Sequence, residues 1–248
     1  MCGMTLPAPV SQVQALVFDV FGTVTDWRSS VIREGEALGR ARRLEVDWGR
    51  FADDWRRDGY RGGIERVRRG ELPWMNADAL HRRELDVLLP RYGIGGLDER
   101  EIERFNRVWH RLDPWPDAVS GLTRLRRKYV IAPLSNGGFA LLTNLSKRAG
   151  LPWDCILSAE LVGAYKPDPQ VYRTAARLLG LECAEVMLVA AHGSDLRGAQ
   201  AAGLRTAFVS RPLEHGPGAA GEPPPDASFD VVATDFVDLA RQLGAGGP

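Results

Sequence analysis

Polar side chains able to take part in catalysis follow several short apolar segments of this 248-residue chain. Carboxylates, hydroxyls and amines are the groups that supply nucleophiles and general acids or bases in enzymes. This chain supplies such groups, together with one amide, at six positions: Asp19, Thr23, Ser135, Asn136, Lys166 and Asp195. Each alone is typical of a helix cap or a turn. Their joint occurrence is much rarer and indicates one catalytic site.

The segments before these side chains have the composition of buried parallel strands. They are short, apolar and bounded by turn residues, and they cover 15–21, 129–134, 186–191, 206–210 and 229–233. Helical patterns lie between them at 139–149, 169–179 and 196–202. This alternation predicts an α/β fold with a doubly wound parallel sheet, a Rossmann-like core. In such a sheet, groups that follow the strands meet at one edge.

Residues 27–112 differ from the rest of the chain, since they show helical periodicity and no convincing strand. The segment is rich in arginine and contains none of the three lysines, Lys128, Lys147 and Lys166. It interrupts the chain just after the first strand, which places it over the carboxyl ends of the strands. The sequence therefore predicts a catalytic core of residues 1–26 and 113–248 and an inserted helical cap of residues 27–112.

The charge balance excludes some classes of partner. The chain has 32 Lys and Arg residues against 32 Asp and Glu residues, and its formal net charge is zero. We therefore expect neither nucleic acid nor an anionic membrane as a partner. No apolar stretch approaches the roughly 18 residues of a membrane span, and residues 1–9 lack the pattern of an export signal.

Two further features bear on the compartment and on surface structure. The three cysteines at positions 2, 155 and 183 have neither zinc-site spacing nor the even number of a disulfide scaffold. This favours a reducing, cytoplasmic compartment. The Gly- and Pro-rich segment 214–226 is predicted to be a surface loop without assigned chemistry.

Four ordered motifs resemble those of the haloacid dehalogenase superfamily. They are Asp-Val-Phe-Gly-Thr at 19–23, Leu-Ser-Asn-Gly at 134–137, Tyr-Lys-Pro-Asp-Pro at 165–169 and Val-Ala-Ala-His-Gly-Ser-Asp at 189–195. The resemblance extends over nearly the whole chain. It implies that Asp19 is a nucleophile and that Ser135 and Lys166 orient the substrate and its charge. It also places Asp195 in the motif whose acids usually hold magnesium.

Two departures distinguish this chain from the phosphatases of that superfamily. Phe21 stands where phosphatases carry a second Asp, which protonates the leaving alkoxide; a halide leaves without a proton. Ala190 and Ala191 replace a Gly-Asp pair, so Asp19 and Asp195 alone would hold magnesium poorly. We therefore expect no metal and no cofactor.

The cap also distinguishes between branches of the superfamily. A branch that hydrolyses phosphonates through a Schiff base uses a cap lysine, and this cap has none. The motifs are closely similar to those of the L-2-haloacid dehalogenases. That resemblance implies conversion of short (S)-2-haloacids to 2-hydroxy acids of inverted configuration through an aspartyl ester at Asp19. A magnesium-dependent phosphatase and a catalytically silent binding module stay open as alternatives.

The resemblance also implies contacts around the nucleophile and a small-molecule substrate. Thr23 is expected to contact Asp19, and Tyr172 is expected to lie beside Lys166. Arg56 and Asn136 are expected to bind the halide, and Ser135 the substrate carboxylate. Phe21 is expected in the substrate pocket. Related dehalogenases are often dimers, so a homodimer is expected. The preferred halogen and chain length do not follow from the sequence.

The group that activates water in the second step stays open between two residues. His192 stands where the most similar dehalogenases carry Asn, and its ordinary pKa near 6.5 suits a general base. Alternatively, Asp195 together with Lys166 positions and polarises the water.

Overall fold

A six-stranded parallel sheet forms the centre of the molecule in the computed structural model, which describes residues 10–219 and 228–246. The described strands are β1 (Ala15–Phe18), β2 (Thr25–Asp26), β3 (Asp113–Pro114), β4 (Val130–Ser135), β5 (Leu157–Ser158), β6 (Val186–Ala190), β7 (Arg205–Val209) and β8 (Val231–Ala233). The sheet has the order β5-β4-β1-β6-β7-β8, and its neighbouring strands are parallel. All of β1 is buried, which explains its unbroken apolar sequence.

Helices cover both faces of this sheet, so the predicted doubly wound α/β fold is confirmed. The described α-helices are α1 (Trp27–Arg42), α2 (Trp48–Asp54), α3 (Gly63–Arg68), α4 (Ala77–Arg91), α5 (Glu99–Asn106), α6 (Ala118–Arg126), α7 (Phe139–Ala149), α8 (Pro169–Leu178), α9 (Gly193–Ala202) and α10 (Phe236–Gln242). Leu16 and Phe18 of β1 pack with α6 and α10, whereas Ala15 and Val17 pack with α7, α8 and α9. Successive side chains of a strand point to opposite faces, so β1 contributes to both halves of the core.

Residues 27–112 contain helices and no strand. Besides α1 to α5, they include a π-helical turn, Trp55–Gly62, and a 3-10 helix, Arg107–Arg111. The segment leaves and re-enters the core at one place, because β2 and β3 flank it and pair antiparallel. Asp26 caps α1 by accepting a hydrogen bond from the Ser29 N–H. β2 and β3 form a small sheet of their own, which joins the two ends of the segment.

The first strand is shorter than predicted. It ends at Phe18 instead of residue 21, because the chain turns away from the sheet after Asp19. Gly22 adopts a φ of 93° in that turn, and its N–H donates to Thr25 O over 3.1 Å. Glycine is suited to this left-handed conformation because it has no Cβ. The short strand leaves Asp19 at the sheet edge.

Some helices also differ from the predicted pattern. α9 begins at Gly193 instead of residue 196, and the sequence pattern predicts neither α6 nor α10. Gly121 weakens the helical pattern of α6, but it allows α10 to approach closely. A Cβ at Gly121 would lie only 2.4 Å from Cβ of Phe236. Helix packing therefore overrides local propensity here.

None of the helices within residues 10–219 and 228–246 is long and apolar enough to cross a membrane. Cys155 and Cys183 are free thiols. Cys2, the amino-terminal segment 1–9 and residues 220–226 of the predicted surface loop lie outside the described residues.

Candidate active site

A cavity of about 400 Å³, the central cavity, lies between the carboxyl edge of the sheet and the π-helical turn. The sheet side contributes Asp19, Asn136, Lys166, Pro167, His192, Ser194 and Asp195, and the helical segment contributes Arg56, Tyr60, Arg61, Ile64 and Arg68. Charged groups of both signs face this space. Cationic side chains outnumber the two acids in its lining, which suits the binding of an anion.

Asp19 follows β1 directly, and both oxygens of its carboxylate accept hydrogen bonds. Oδ1 accepts from the Lys166 ammonium (3.1 Å), and Oδ2 accepts from the Thr23 hydroxyl (2.8 Å) and from His192 Nδ1 (3.1 Å). Burial acts to raise the pKa of Asp19, but the charges of Lys166 and His192 outweigh it and hold that pKa well below its usual value. Asp19 is therefore an ionised carboxylate at neutral pH.

Thr23 fixes the loop that carries Asp19. Its hydroxyl donates to Asp19 and accepts from the backbone N–H of Ala191 (3.0 Å), directly after β6. The backbone N–H of Asp19 donates to Val189 O (3.0 Å). The fully buried Thr23 does not border the central cavity. The neighbouring strand thus sets the position of the carboxylate.

Lys166 lies between two carboxylates. Its Nζ is 3.1 Å from Asp19 Oδ1 and 2.5 Å from Asp195 Oδ2. The backbone N–H of Lys166 donates to Asn136 Oδ1 (2.7 Å), so Asn136 holds the lysine as well as lining the cavity. Burial opposes the charged form, but the two carboxylates outweigh it and raise the pKa of Lys166 above its usual value. The ammonium therefore stays charged.

Asp195 lies in the first turn of α9, and its side chain is hydrogen-bonded to Tyr172. The Tyr172 hydroxyl donates to Asp195 Oδ1 over 2.6 Å, while Oδ2 accepts from Lys166. Burial raises the pKa of Asp195, and the negative charge of Asp19 adds to this rise, although Lys166 opposes both. Tyr172 is buried and does not border the central cavity. Both Asp195 oxygens thus accept hydrogen bonds.

His192 also lies between two carboxylates. Its Nδ1 is 3.1 Å from Asp19 Oδ2, and its Nε2 is 3.0 and 2.9 Å from the two carboxylate oxygens of Glu214. Burial opposes a charged imidazole, but the hydrogen bonds to Asp19 and Glu214 raise the pKa of His192 to about 10. Burial likewise opposes a charged Glu214, but the contact with His192 lowers the pKa of Glu214 to about 2. At neutral pH His192 is therefore a cation that donates to both carboxylates.

Arg56 lies in the π-helical turn, with its guanidinium buried against aromatic rings. Its Cζ is 4.4 Å from the ring centre of Tyr60, 5.4 Å from that of Trp27 and 5.5 Å from that of Phe21. Nη2 donates to Phe21 O over 3.3 Å, whereas Nε and Nη1 have no hydrogen-bond partner among the described residues. Buried donors without a partner are rare. In a cavity wall, such donors are suited to bind an anion.

Two residues predicted to contact substrate do not border the central cavity. Ser135 is fully buried at the end of β4, and its hydroxyl oxygen accepts a hydrogen bond from the Gly137 N–H (3.0 Å). Phe21 is buried against Tyr60 and Trp109, with ring centres 5.3 and 6.0 Å apart. The roles of Ser135 and Phe21 in substrate binding stay predictions, because contact with substrate requires a change in local packing.

Glu214 and Tyr60 belong to the site although no motif identified them. The prediction that 214–226 is a surface loop without chemistry is wrong at Glu214, which is only 4% exposed and contacts His192. Trp27 Nε1 also donates to Glu214 Oε1 over 3.2 Å. The signal for Glu214 was its position shortly after β7, since polar groups that follow parallel strands gather at one edge.

The site residues do not fit a magnesium ion. Both oxygens of Asp195 already accept hydrogen bonds, from Tyr172 and from Lys166. Oδ2 of Asp19 already accepts from Thr23 and His192. Within the described part of the chain, no group of three or more His, Cys, Asp or Glu side chains is arranged to hold a metal ion. Magnesium requires several oxygen ligands in near-octahedral geometry.

Comparison with known sequences places the chain among hydrolases. A protein-family model described as haloacid dehalogenase-like hydrolase matches residues 13–203. The (S)-2-haloacid dehalogenase 4A of Burkholderia cepacia is 30% identical over 82% of this chain and 85% of its own length. The phosphoserine phosphatase of Thermus thermophilus is 34% identical over 84% of this chain and 78% of its own. The percentage of sequence identity to these two relatives therefore does not distinguish a dehalogenase from a phosphatase.

Similar solved structures include several dehalogenases. The L-2-haloacid dehalogenase PA0810 is 48% identical with a TM-score of 0.87, over 93% of this chain and 99% of that chain. A defluorinating L-2-haloacid dehalogenase is 45% identical with a TM-score of 0.90, over 94% and 95% of the two chains. The Xanthobacter autotrophicus enzyme with chloropropionic acid covalently bound is 27% identical with a TM-score of 0.78, over 94% and 98%. These similarities extend over nearly the whole chain.

Proposed function

Because the chain belongs to the haloacid dehalogenase-like hydrolase family, we propose that it hydrolyses the carbon–halogen bond of short (S)-2-haloacids. The products are a 2-hydroxy acid, a halide ion and a proton. One observation carries the proposal: the ionised Asp19 and Arg56, whose buried guanidinium keeps unpartnered donors, line the same cavity from its two sides. In-line displacement needs a nucleophile and a leaving-group site on opposite sides of one carbon.

In the first step, an oxygen of Asp19 attacks the halogen-bearing carbon. A carbon–oxygen bond forms, the carbon–halogen bond breaks, and the halide leaves with the bonding electrons while the configuration inverts. Arg56 stabilises the departing halide through its two unpartnered nitrogens, Nε and Nη1. Thr23 and Lys166 hold the carboxylate in position through the hydrogen bonds described above.

In the second step, water attacks the carbonyl carbon of the Asp19 ester. The acyl carbon–oxygen bond breaks, the 2-hydroxy acid leaves, and the carboxylate is restored. Lys166 is within hydrogen-bond distance of Asp19 Oδ1 and stabilises the negative charge that develops on the carbonyl oxygen of the ester.

The alternative of a magnesium-dependent phosphatase is disfavoured at two positions. Departure of an alkoxide requires a proton, and Phe21 cannot donate one from the position of the second phosphatase Asp. Both oxygens of Asp19 and of Asp195 already accept hydrogen bonds, and no group of three or more His, Cys, Asp or Glu side chains among the described residues is arranged to hold a metal ion. A halide needs neither a proton nor a metal to leave.

The proposal is tested by measuring chloride and phosphate release under matched conditions. The enzyme is incubated with (S)-2-chloropropionate, (R)-2-chloropropionate or phosphoserine, each with EDTA or magnesium. We expect chloride from the (S) isomer alone, at equal rates with EDTA and magnesium. Magnesium-dependent phosphate release without chloride would refute the proposal, and no release in any reaction would support the silent binding module. Asp19→Asn is the matched control for enzyme-catalysed chloride release.

The covalent step has a separate test in water labelled with oxygen-18. With enzyme in excess over substrate, the hydroxy acid receives its new oxygen from Asp19, so the first product is unlabelled. The label enters the Asp19 carboxylate and is detected in its peptide by mass spectrometry. Labelled product in the first turnover would show direct attack of water on the substrate and would contradict the aspartyl ester.

The substrate range of this proposal includes 2-fluoroacids such as fluoroacetate. Fluoride is a poor leaving group that requires strong hydrogen-bond donors, and the unpartnered Nε–H and Nη1–H of Arg56 supply charged donors. The similar defluorinating enzyme supports this range. A fluoride electrode should record release from fluoroacetate by the wild-type protein and none by Asp19→Asn.

We also propose that residues 27–112 form a cap domain on a core of residues 1–26 and 113–248. The pairing of β2 with β3 at the base of the segment supports this division. Closure of such a cap over the central cavity would exclude water during the first step. The homodimer and the cytoplasmic compartment stay predictions, and light scattering with size-exclusion chromatography tests the dimer.

A further inference from the structure

The segment after β7 brings a buried carboxylate, Glu214, against His192. Arg211 anchors this segment: its guanidinium donates to Thr23 O (2.8 Å) and forms an ion pair with Asp117 (2.7 Å). The Glu214 N–H donates to Arg211 O in a turn (3.1 Å). The carboxylate is therefore attached to the same loop that carries the nucleophile.

The loop that carries Asp19 also leaves space for the Glu214 carboxylate at Gly22. A Cβ at Gly22 would lie 2.2 Å from Glu214 Oε1 and 2.4 Å from its Cδ, so only glycine leaves room for the carboxylate. Trp27 Nε1 donates to Oε1 from the first helix of the cap segment. Three separate parts of the chain thus position one carboxyl group that has no role in the steps derived above.

We propose that Glu214 is a positioning residue for His192, and that His192 becomes the base of the second step only after Asp19 has been esterified. This inference rests on the proposed dehalogenation and assigns its water-activating group.

The argument begins with the charges that face His192. In the resting enzyme these are Asp19 on Nδ1 and Glu214 on Nε2; Arg56 and His215 lie near Glu214, and the positive charge of Arg56 stabilises its carboxylate. Two carboxylates stabilise the imidazolium, which therefore cannot accept a proton. Esterification converts Asp19 from an anion to a neutral group and removes one of these two contacts. The pKa of His192 then falls, because a single carboxylate remains beside a buried imidazolium.

The proton balance of the cycle follows from this change. After halide departure, the imidazolium releases its Nδ1 proton to solvent, which is the proton that the overall hydrolysis liberates. Nε2–H stays bonded to Glu214, so the lone pair of Nδ1 faces the ester and accepts a proton from the attacking water. The tetrahedral intermediate expels the alkoxide, which takes that proton from Nδ1. The second proton of the water is left on Asp19 and passes to His192, restoring the ion pair.

Asp195 is less suited to this task. Its Oδ1 accepts from the Tyr172 hydroxyl and its Oδ2 from the Lys166 ammonium, at 2.6 and 2.5 Å. Burial raises the pKa of Asp195, but both of its oxygens are already engaged by donors that compete with the attacking water for their lone pairs. His192, in contrast, lies 3.1 Å from the Asp19 oxygen and gains a free lone pair when the ester forms.

The test separates the two chemical steps by rapid mixing of excess (S)-2-chloropropionate with Glu214→Gln, Glu214→Asp and His192→Asn. Chloride release in the first turnover reports ester formation, and intact-protein mass spectrometry after acid quench reports the ester. We expect each Glu214 variant to release about one chloride per active site at a near wild-type rate, and His192→Asn to release about one chloride per active site and to accumulate the ester. Ester hydrolysis should slow on the order of 100-fold in His192→Asn, because general base catalysis contributes at least this much.

The pH dependence of ester hydrolysis distinguishes positioning from mere structural support. Gln retains a hydrogen bond to Nε2–H but not the charge, so Glu214→Gln should move the midpoint of the pH profile downward by at least about one unit. Glu214→Asp keeps the charge and should retain a midpoint closer to that of the wild type. Thermal unfolding of each variant establishes that it is folded.

Asp78→Asn is the matched control, because Asp78 contacts Nε2 of another histidine, His110, over 3.0 Å and does not line the central cavity. It should change neither step. Unchanged ester hydrolysis in Glu214→Gln, or an equal slowing of both steps without a shift of the pH profile, would overturn the inference. Either result leaves dehalogenation intact, whereas the absence of chloride from wild-type enzyme would refute both.

Discussion

A histidine held as a cation at neutral pH should make the stability of this protein depend on pH in a defined way. The contacts with Asp19 and Glu214 raise the pKa of His192 from 6.5 to about 10. Between these values the folded protein keeps the proton that the unfolded chain has lost. The stabilisation is therefore complete below pH 6.5 and declines as the pH rises towards 10.

The slope follows from proton linkage. One additional proton bound by the folded state lowers the free energy of unfolding by about 1.4 kcal/mol for each pH unit. Between pH 7 and pH 9, His192 should therefore account for a loss of roughly 2–3 kcal/mol. Glu214 does not contribute to this slope, because its pKa is lowered from 4.5 to about 2 and it is ionised in both states.

The assay is urea unfolding of the wild-type protein and of a reference variant at several pH values from 7 to 9. The reference is His192→Asn/Glu214→Gln, which removes both charges of the pair and leaves no unpaired buried carboxylate at position 214. Other titrating groups cancel in the difference between the two proteins. A difference that does not change with pH would show that His192 is neutral in the folded state, and the electrostatic reasoning would be wrong.

Three further substitutions have defined outcomes. Asp19→Asn should abolish halide release while the protein stays folded, as measured by chloride assay and circular dichroism; residual turnover near wild type would contradict the covalent mechanism. Arg56→Met should reduce kcat/KM for chloride release by at least about 100-fold, yet keep or raise the thermal unfolding temperature, because it removes a buried charge with unpartnered donors. A large loss of stability would refute this explanation. Gly22→Ala should destabilise the protein by more than about 1 kcal/mol, since its φ is 93° and the methyl group would collide with Glu214. The loss should be smaller in a Glu214→Ala background, and equal losses would show that the collision is unimportant.

The core of the fold could be predicted because its elements are short and locally encoded. β1 and β6 are buried on both faces, so they appear as unbroken apolar runs that end in turn residues. The helix Phe139–Ala149 has the predicted bounds, since Gly150 ends it in the left-handed conformation with a φ of 66°. α6 escaped prediction because Gly121 is explained only by the approach of α10.

The candidate site could be predicted only in part, for a related reason. Asp19, Lys166 and Asp195 each follow or lie near the carboxyl end of a strand, and parallel strands bring these ends together. Arg56 is one of many arginines in its segment, and only the tertiary structure places it in the cavity wall, with its guanidinium against aromatic rings. Ser135 illustrates the converse, since its position was predicted but the direction of its hydroxyl was not.

The sequence by itself determined five of the six strands of the central sheet, the order of the motifs and the residue types that supply a nucleophile and its counter-ion. These depend on composition and on spacing within short segments. Only the tertiary structure decided that His192 is a cation and that Glu214 belongs to the site. The charge state of a buried group depends on which carboxylates lie within about 4–6 Å, and the two partners of His192 are 173 and 22 residues away along the chain.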